Sequence, residues 1–175
     1  MLKRHPRKLG KKGFTLIEIV VYIGVLMFLM AAVFSLLLWF ISSAAKTKAM
    51  REVSDNSKRA MNAMINEIRE AKAVYGPTTA SDQLSLETTK YLPDDETSAY
   101  IDFFLCDGRL CLKKESQTVS ALTSESVEIT NLVFTKIVSG GRTSVRVQLG
   151  MEYKNPSGRP EYGAEINFVS AASLR

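Results

Sequence analysis

Apolar residues are spread unevenly along this chain. From residue 19 to residue 45 no position carries a charge, and residues 19–41 are apolar almost without a break. A helix rises about 1.5 Å per residue, so these 23 residues reach roughly 34 Å, enough for a hydrocarbon core of about 30 Å. Helices of soluble proteins rarely stay apolar on every face over such a length. The run therefore predicts a membrane-inserted helix. Trp39, near its distal end, reads equally well as an interfacial anchor or as a lipid-facing bulky residue.

Beyond residue 45 the polarity switches but a helical period persists. Met50, Val53, Ser57, Met61, Met64, Ile65, Ile68 and Ala71 recur at steps of three and four, with charged residues between them. This predicts an amphipathic helix that continues the apolar one, so that residues 14 to 73 form one helix, halted by Tyr75, Gly76 and Pro77. The methionine stripe reads as core against a sheet.

After Pro77 the period becomes two. Residues 83–88 form a short candidate strand. Residues 99–106 and 109–115 flank Asp107 and Gly108, a strong two-residue hairpin signal. That turn sets Leu105 against Leu110 and Phe103 against Leu112. Residues 127–139 and 142–153 flank Gly140 and Gly141; paired positions then sum to 281, which sets Phe134 against Val147 and Leu132 against Leu149. Asn155, Pro156, Ser157 and Gly158 make a turn. Tyr162, Ala164, Ile166 and Phe168 alternate as a last strand. The predicted class is α+β: a long N-terminal helix packed on an antiparallel β-sheet.

Charge orients this arrangement. Of 23 Lys and Arg, six (Lys3, Arg4, Arg7, Lys8, Lys11, Lys12) lie in the first twelve residues, leaving 17 against 18 acids in the rest. The body has no overall cationic field, so nucleic acid is not indicated as a partner. Cations on the N-terminal side of a membrane helix stay in the cytoplasm, which puts the C-terminal domain outside. The apolar run exceeds the roughly 7–15 residues of a secretory signal. Ser42, Ser43, Ala44 and Ala45 offer a cleavage site after it, but the helical pattern runs straight through them.

The junction reads Lys11, Lys12, Gly13, Phe14, Thr15, Leu16, Ile17, Glu18, then the apolar run. It resembles the prepilin cleavage and methylation signature of the type IV pilin and pseudopilin superfamily. The resemblance implies a pilin-like fold. It also implies cleavage after Gly13 by a prepilin peptidase and methylation of the new amino group of Phe14. Other pilin or pseudopilin subunits, an inner-membrane assembly platform and membrane lipid are the implied partners, and no cofactor is implied. A glycine suits cleavage, since a residue without Cβ lets a peptidase approach the backbone; Gly13 read alone is a loop glycine before a helix. Glu18 is the implied assembly residue, its carboxylate pairing with the N-terminal amine of a neighbouring subunit. A carboxylate at the edge of a membrane helix is costly and marks function, and an amine at the positive end of a helix dipole needs an anion. Glu18 also fits as a cap of its own helix. Many pilins have a helix-bending proline where this chain has Ser35, which favours a minor subunit. Residues 122–127 and the strand 142–153 look similar to minor pilins and J-type pseudopilins. The presence of Glu18 argues against the tip pseudopilin that lacks this acid.

The implied organisation is a leader of residues 1–13, a transmembrane and filament-core helix 14–45, an amphipathic helix 46–75 and a β-rich head 76–175. Pilus, type II secretion and competence machines share these features. The competing reading is a signal-anchored extracytoplasmic binding module. Catalysis has little support: the one histidine, His5, lies in the leader, which removes histidine-based triads and metal sites from the processed chain. Asp94, Asp95 and Glu96 read as a solvated loop ahead of a calcium site. Cys106 and Cys111 share a sheet face in the Asp-Gly register but lie diagonally, about 7–8 Å or somewhat less between Cβ atoms, where a disulfide needs about 3.5–4.5 Å. A wider turn would set them opposite each other. An outward compartment permits oxidation, and both a disulfide and free thiols remain open.

Overall fold

The computed structural model describes residues 13–77, 79–90, 92, 96–155 and 157–175. The chain divides into two compact units, one ending at Ser42 and the other starting at Ser43. A single helix, α1 (Leu16–Glu70), contributes to both. In the first unit its residues 19–42 are exposed on every face and apolar almost throughout. It is long and apolar enough to cross a membrane, and none of its apolar window is buried.

From residue 43 onward α1 has two faces. Ala49, Val53, Asn56, Ser57, Ala60, Met61, Met64, Ile65 and Ile68 are buried. Met50, placed on this stripe by the sequence, is 40% exposed, and Ala49 takes its place. Positions 49, 53, 57, 60, 64 and 68 advance together at the helical period, while position 50 is rotated roughly 100° from 49. The helix also stops short of residue 73. The Ala71 N–H reaches the Ile68 carbonyl at 3.3 Å, and the Lys72 N–H turns to the Glu87 carbonyl at 2.8 Å. The chain then continues as β1 (Ala73–Gly76). The alternation around Val74 and Tyr75 serves a strand, and a sheet edge supplies the backbone bonds that another helical turn would have made.

Eight more strands follow: β2 (Ala80–Ser81), β3 (Leu84–Thr88), β4 (Ala99–Cys106), β5 (Arg109–Lys114), β6 (Ser120–Ala121), β7 (Val127–Ser139), β8 (Arg142–Tyr153) and β9 (Glu165–Ser173). They build two antiparallel sheets, ordered β1-β3-β4-β5-β6 and β2-β7-β8-β9. A 3-10 turn, Pro160–Tyr162, precedes β9, so Tyr162 belongs to a turn and not to the last strand. Its ring stacks on Tyr153 with centroids 6.0 Å apart.

Both hairpins take the turns their sequences specify. Asp107 and Gly108 have φ of 51° and 73°, the left-handed values that a two-residue turn matched to strand twist requires. Leu105 then pairs with Leu110 and Phe103 with Leu112. Across β7 and β8, Leu132 pairs with Leu149 and Phe134 with Val147, but beyond Asn131 the register shifts by one, so Ile129 meets Met151. Thr130 is the extra residue of this bulge. The bulge keeps Val127, Ile129, Leu132 and Phe134 all buried, which strict alternation would not allow. Gly150 lies opposite it, between Asn131 and Asn167. A Cβ at Gly150 would sit 2.7 Å from Thr130 Oγ1 and 2.8 Å from Asn167 Oδ1, so a larger residue there would have to push both side-chain ends aside.

One hydrophobic cluster joins the elements. Met61, Met64, Ile65 and Ile68 of α1 meet Leu84, Leu86, Ile101, Phe103 and Leu110 of the first sheet and Leu132, Phe134, Val147, Leu149 and Met151 of the second. At about 25 cal/mol per Å2 of apolar surface removed from water, each such side chain contributes on the order of 1.5–3 kcal/mol. Polar links complement the cluster. Ser57 Oγ donates to Met151 Sδ at 3.3 Å, Lys114 pairs with Glu67 at 3.3 Å, and the Ile129 N–H reaches the Gly108 carbonyl at 2.9 Å. Cys106 and Cys111 stand as a disulfide, Cα atoms 5.9 Å apart. The turn is the two-residue one, with Cys106 opposite Arg109 and Cys111 opposite Phe104. The bridge thus spans the diagonal, at a Cα separation usual for disulfides, without the wider turn.

Candidate functional site

The residues singled out by the junction motif lie where α1 begins. Gly13, Phe14 and Thr15 precede the helix in irregular backbone. Residues 1–12, His5 included, lie outside the described residues, as do Asp94 and Asp95 of the acidic cluster. Phe14, Leu16 and Ile17 are each more than 70% exposed, and Glu18 is half-buried.

Thr15 ends the irregular stretch as the helix cap. The Glu18 N–H donates to the Thr15 carbonyl at 3.1 Å and to Thr15 Oγ1 at 3.3 Å. A helix leaves its first N–H groups without intrahelical acceptors, and a threonine hydroxyl three residues back satisfies one of them. Thr15 and Glu18 have the spacing of a capping box. The Glu18 carboxylate stands in the first turn, where the positive end of the helix dipole favours an anion.

One member of this group went unremarked in the sequence. Tyr22, a turn further on, donates its hydroxyl to Glu18 Oε1 at 3.2 Å. Its ring packs edge-on against Phe14, centroids 6.4 Å apart and planes at 73°. The signal was available: positions 18 and 22 are spaced by four, so they stack on one helix face, and Tyr22 is a hydrogen-bond donor inside an otherwise apolar run. The helix start thus gathers an exposed aromatic residue, Phe14, a half-buried carboxylate and a phenol that contacts both.

The head offers grooves rather than chemistry. One groove, about 630 Å3, runs past Glu125, Glu128, Glu152, Tyr153 and Lys154. A neighbouring groove of about 390 Å3 shares Glu152 and Tyr153 and adds Tyr162 and Glu165. Glu128, Glu152 and Glu165 are direct cross-strand neighbours on β7, β8 and β9. Among the described residues no group of three or more metal-binding side chains is placed to hold an ion.

Residues 8–34 match the family model of the prokaryotic N-terminal methylation motif. No curated protein and no solved structure matches the chain. The motif implies processing by a prepilin peptidase and a pilin-type role, and with the apolar helix it suggests a membrane-anchored protein. The methylation motif at residues 8–34, the long apolar N-terminal helix and the α+β head together fit a type IV pilin-like protein.

Proposed function

We propose that this chain is a structural subunit, a minor pilin or a pseudopilin, of a type IV pilus-like filament. The observation that carries the reading is the methylation motif running directly into an uninterrupted apolar helix. The chain enters the inner membrane with its basic leader in the cytoplasm and its head outside. The peptidase cuts after Gly13, and the new amine of Phe14 is methylated. The assembly platform then moves the subunit from lipid into the filament, where helices of neighbouring subunits replace lipid around residues 14–45.

Glu18 is the assembly residue. Inside a helical bundle of low dielectric its carboxylate and a neighbour's N-terminal amine attract far more strongly than in water. Each neutralises a charge that would be costly alone. The half-buried carboxylate in the first turn supports this role. The absence of proline from residues 14–45 favours a minor subunit. The Cys106–Cys111 bridge accords with a head in an oxidising compartment.

Intact mass and N-terminal sequence of the membrane-extracted protein test the reading. A chain beginning at Phe14 and one methyl group heavier is expected. A chain beginning at Met1, or cut after residue 41, would remove the filament mechanism and leave an anchored or secreted binding module.

A further inference from the structure

We propose that Tyr22 is a positioning residue for assembly: its phenol fixes the Glu18 carboxylate so that one oxygen remains directed to a neighbour's amine. The inference rests on the filament reading of Glu18 and adds a residue to it. Tyr22 Oη donates to Glu18 Oε1 at 3.2 Å. Glu18 Oε2 makes no hydrogen bond among the described residues. A carboxylate has about four acceptor sites, so the phenol does not use up its capacity. It holds one oxygen and leaves the other for the incoming cation.

Two features make this more than a surface contact. Tyr22 is the one hydroxyl-bearing aromatic in the uncharged run of residues 19–45, where a donor is costly without a partner. Its ring is itself set by Phe14, the residue whose nitrogen becomes the amine, at 6.4 Å in an edge-on contact. Phe14, Glu18 and Tyr22 thus form one contact cluster at the helix start. A glutamate free to rotate would lose side-chain entropy on pairing; one already held by a donor loses less.

The experiment uses the full chain expressed with its peptidase and assembly machinery, comparing wild type with Tyr22→Phe, Tyr22→Gln and Glu18→Gln. Two quantities are read: the processed and methylated fraction by intact mass, and the ratio of this chain in sheared filaments to that in membranes. Tyr22→Phe keeps the ring and its contact with Phe14 but removes the donor. It should be processed and methylated as wild type, with the filament-to-membrane ratio reduced about tenfold, the scale of a hydrogen bond to a charged group. Tyr22→Gln loses the ring but restores a donor one turn from Glu18, and should recover part of the ratio. A ring-packing role would give the reverse order, with Phe tolerated and Gln defective, and would overturn the inference. Wild-type assembly of Tyr22→Phe would overturn it too, as would a defect confined to processing. Glu18→Gln separates the two ideas. If it assembles normally, the filament role of Glu18 fails and the positioning role goes with it; if it fails to assemble while Tyr22→Phe assembles normally, only the positioning role is lost.

Discussion

Asn56 should be the polar residue on which docking of the helix against the head depends most. It is fully buried on α1. Its Oδ1 accepts the Ser124 N–H at 2.9 Å, and its Nδ2 donates to Glu52 Oε1 at 3.1 Å and to the Glu52 carbonyl at 2.9 Å. Ser124 Oγ also reaches Glu52 Oε1, at 3.1 Å. Helix and loop are joined here by one small network. Replacing Asn56 with Ala strips the acceptor from Ser124 N–H, at a cost of about 1–3 kcal/mol, and removes a donor to a carboxylate, about 1.5–3 kcal/mol. Ser124 is only partly buried, so water recovers some of the first term, and coupled terms do not add in full. We expect Asn56→Ala to destabilise the head by about 2–4 kcal/mol. For a unit that runs from Ser43 to Arg175 that is a fall in Tm of roughly 6–16 °C. Thermal unfolding of the detergent-solubilised chain, followed by circular dichroism, measures it. Asn56→Asp keeps the acceptor and nearly the volume but sets a second carboxylate beside Glu52. It should be at least as damaging at neutral pH and recover at acid pH, where the two carboxyls can share a proton. If both variants unfold within about 0.5 kcal/mol of wild type, the usual scatter of a neutral surface change, the network does not hold the helix and the argument is wrong.

Three further outcomes follow from particular residues. Gly108→Ala places a side chain at φ of 73° and a Cβ 3.3 Å from Glu128 Cγ; it should cost about 1–2 kcal/mol, and an unchanged unfolding midpoint would contradict the turn geometry. Glu152 sits between Glu128 and Glu165 across three strands, so Glu152→Gln should raise stability by about 0.2–1 kcal/mol, with the gain shrinking in high salt; a loss of stability at low salt would show that the row is already compensated. The Lys72–Glu87 pair, 2.8 Å apart, should shape the pH profile. Hydrogen bonds from Lys72 and then Ser98 hold the Glu87 carboxyl below its ordinary value, so its contribution is complete above that ordinary value and is lost as pH falls through the lower, folded one. The same hydrogen bond, followed by the charge of Glu87, holds the Lys72 ammonium above its ordinary value, so its contribution is complete below that value and is lost as pH rises through the folded one. Lys72→Met should therefore flatten both limbs of a plot of Tm against pH; a constant offset at every pH would reject the linkage.

Much of this protein could be read in one dimension because the deciding interactions are local. An uncharged run of residues 19–41 needs no tertiary partner to be recognised as long and apolar enough to cross a membrane, since the cost of burying charge is set residue by residue. The Asp107-Gly108 and Gly140-Gly141 turns likewise set their hairpin registers through backbone angles of adjacent residues. The motif from Gly13 to Glu18 is contiguous, so it too was legible. What the sequence did not disclose depends on residues distant along the chain. That α1 stops at Glu70 was decided by β3, whose edge offers Lys72 and β1 the backbone partners a helix would have supplied. The bulge at Thr130 was decided by the need to bury Ile129 and Val127 against the same core as Leu132, a demand no local pattern expresses. Asn56 reads as an ordinary polar position until the loop at Ser124 is folded over it. Tyr22 looks like one more large residue in an apolar run until the turn of the helix sets it over Glu18 and Phe14. Local backbone preference and the solvent demands of single side chains were written in the sequence; strand order, bulge position and the partners of buried polar groups were settled only when distant segments competed for one core and one set of hydrogen bonds.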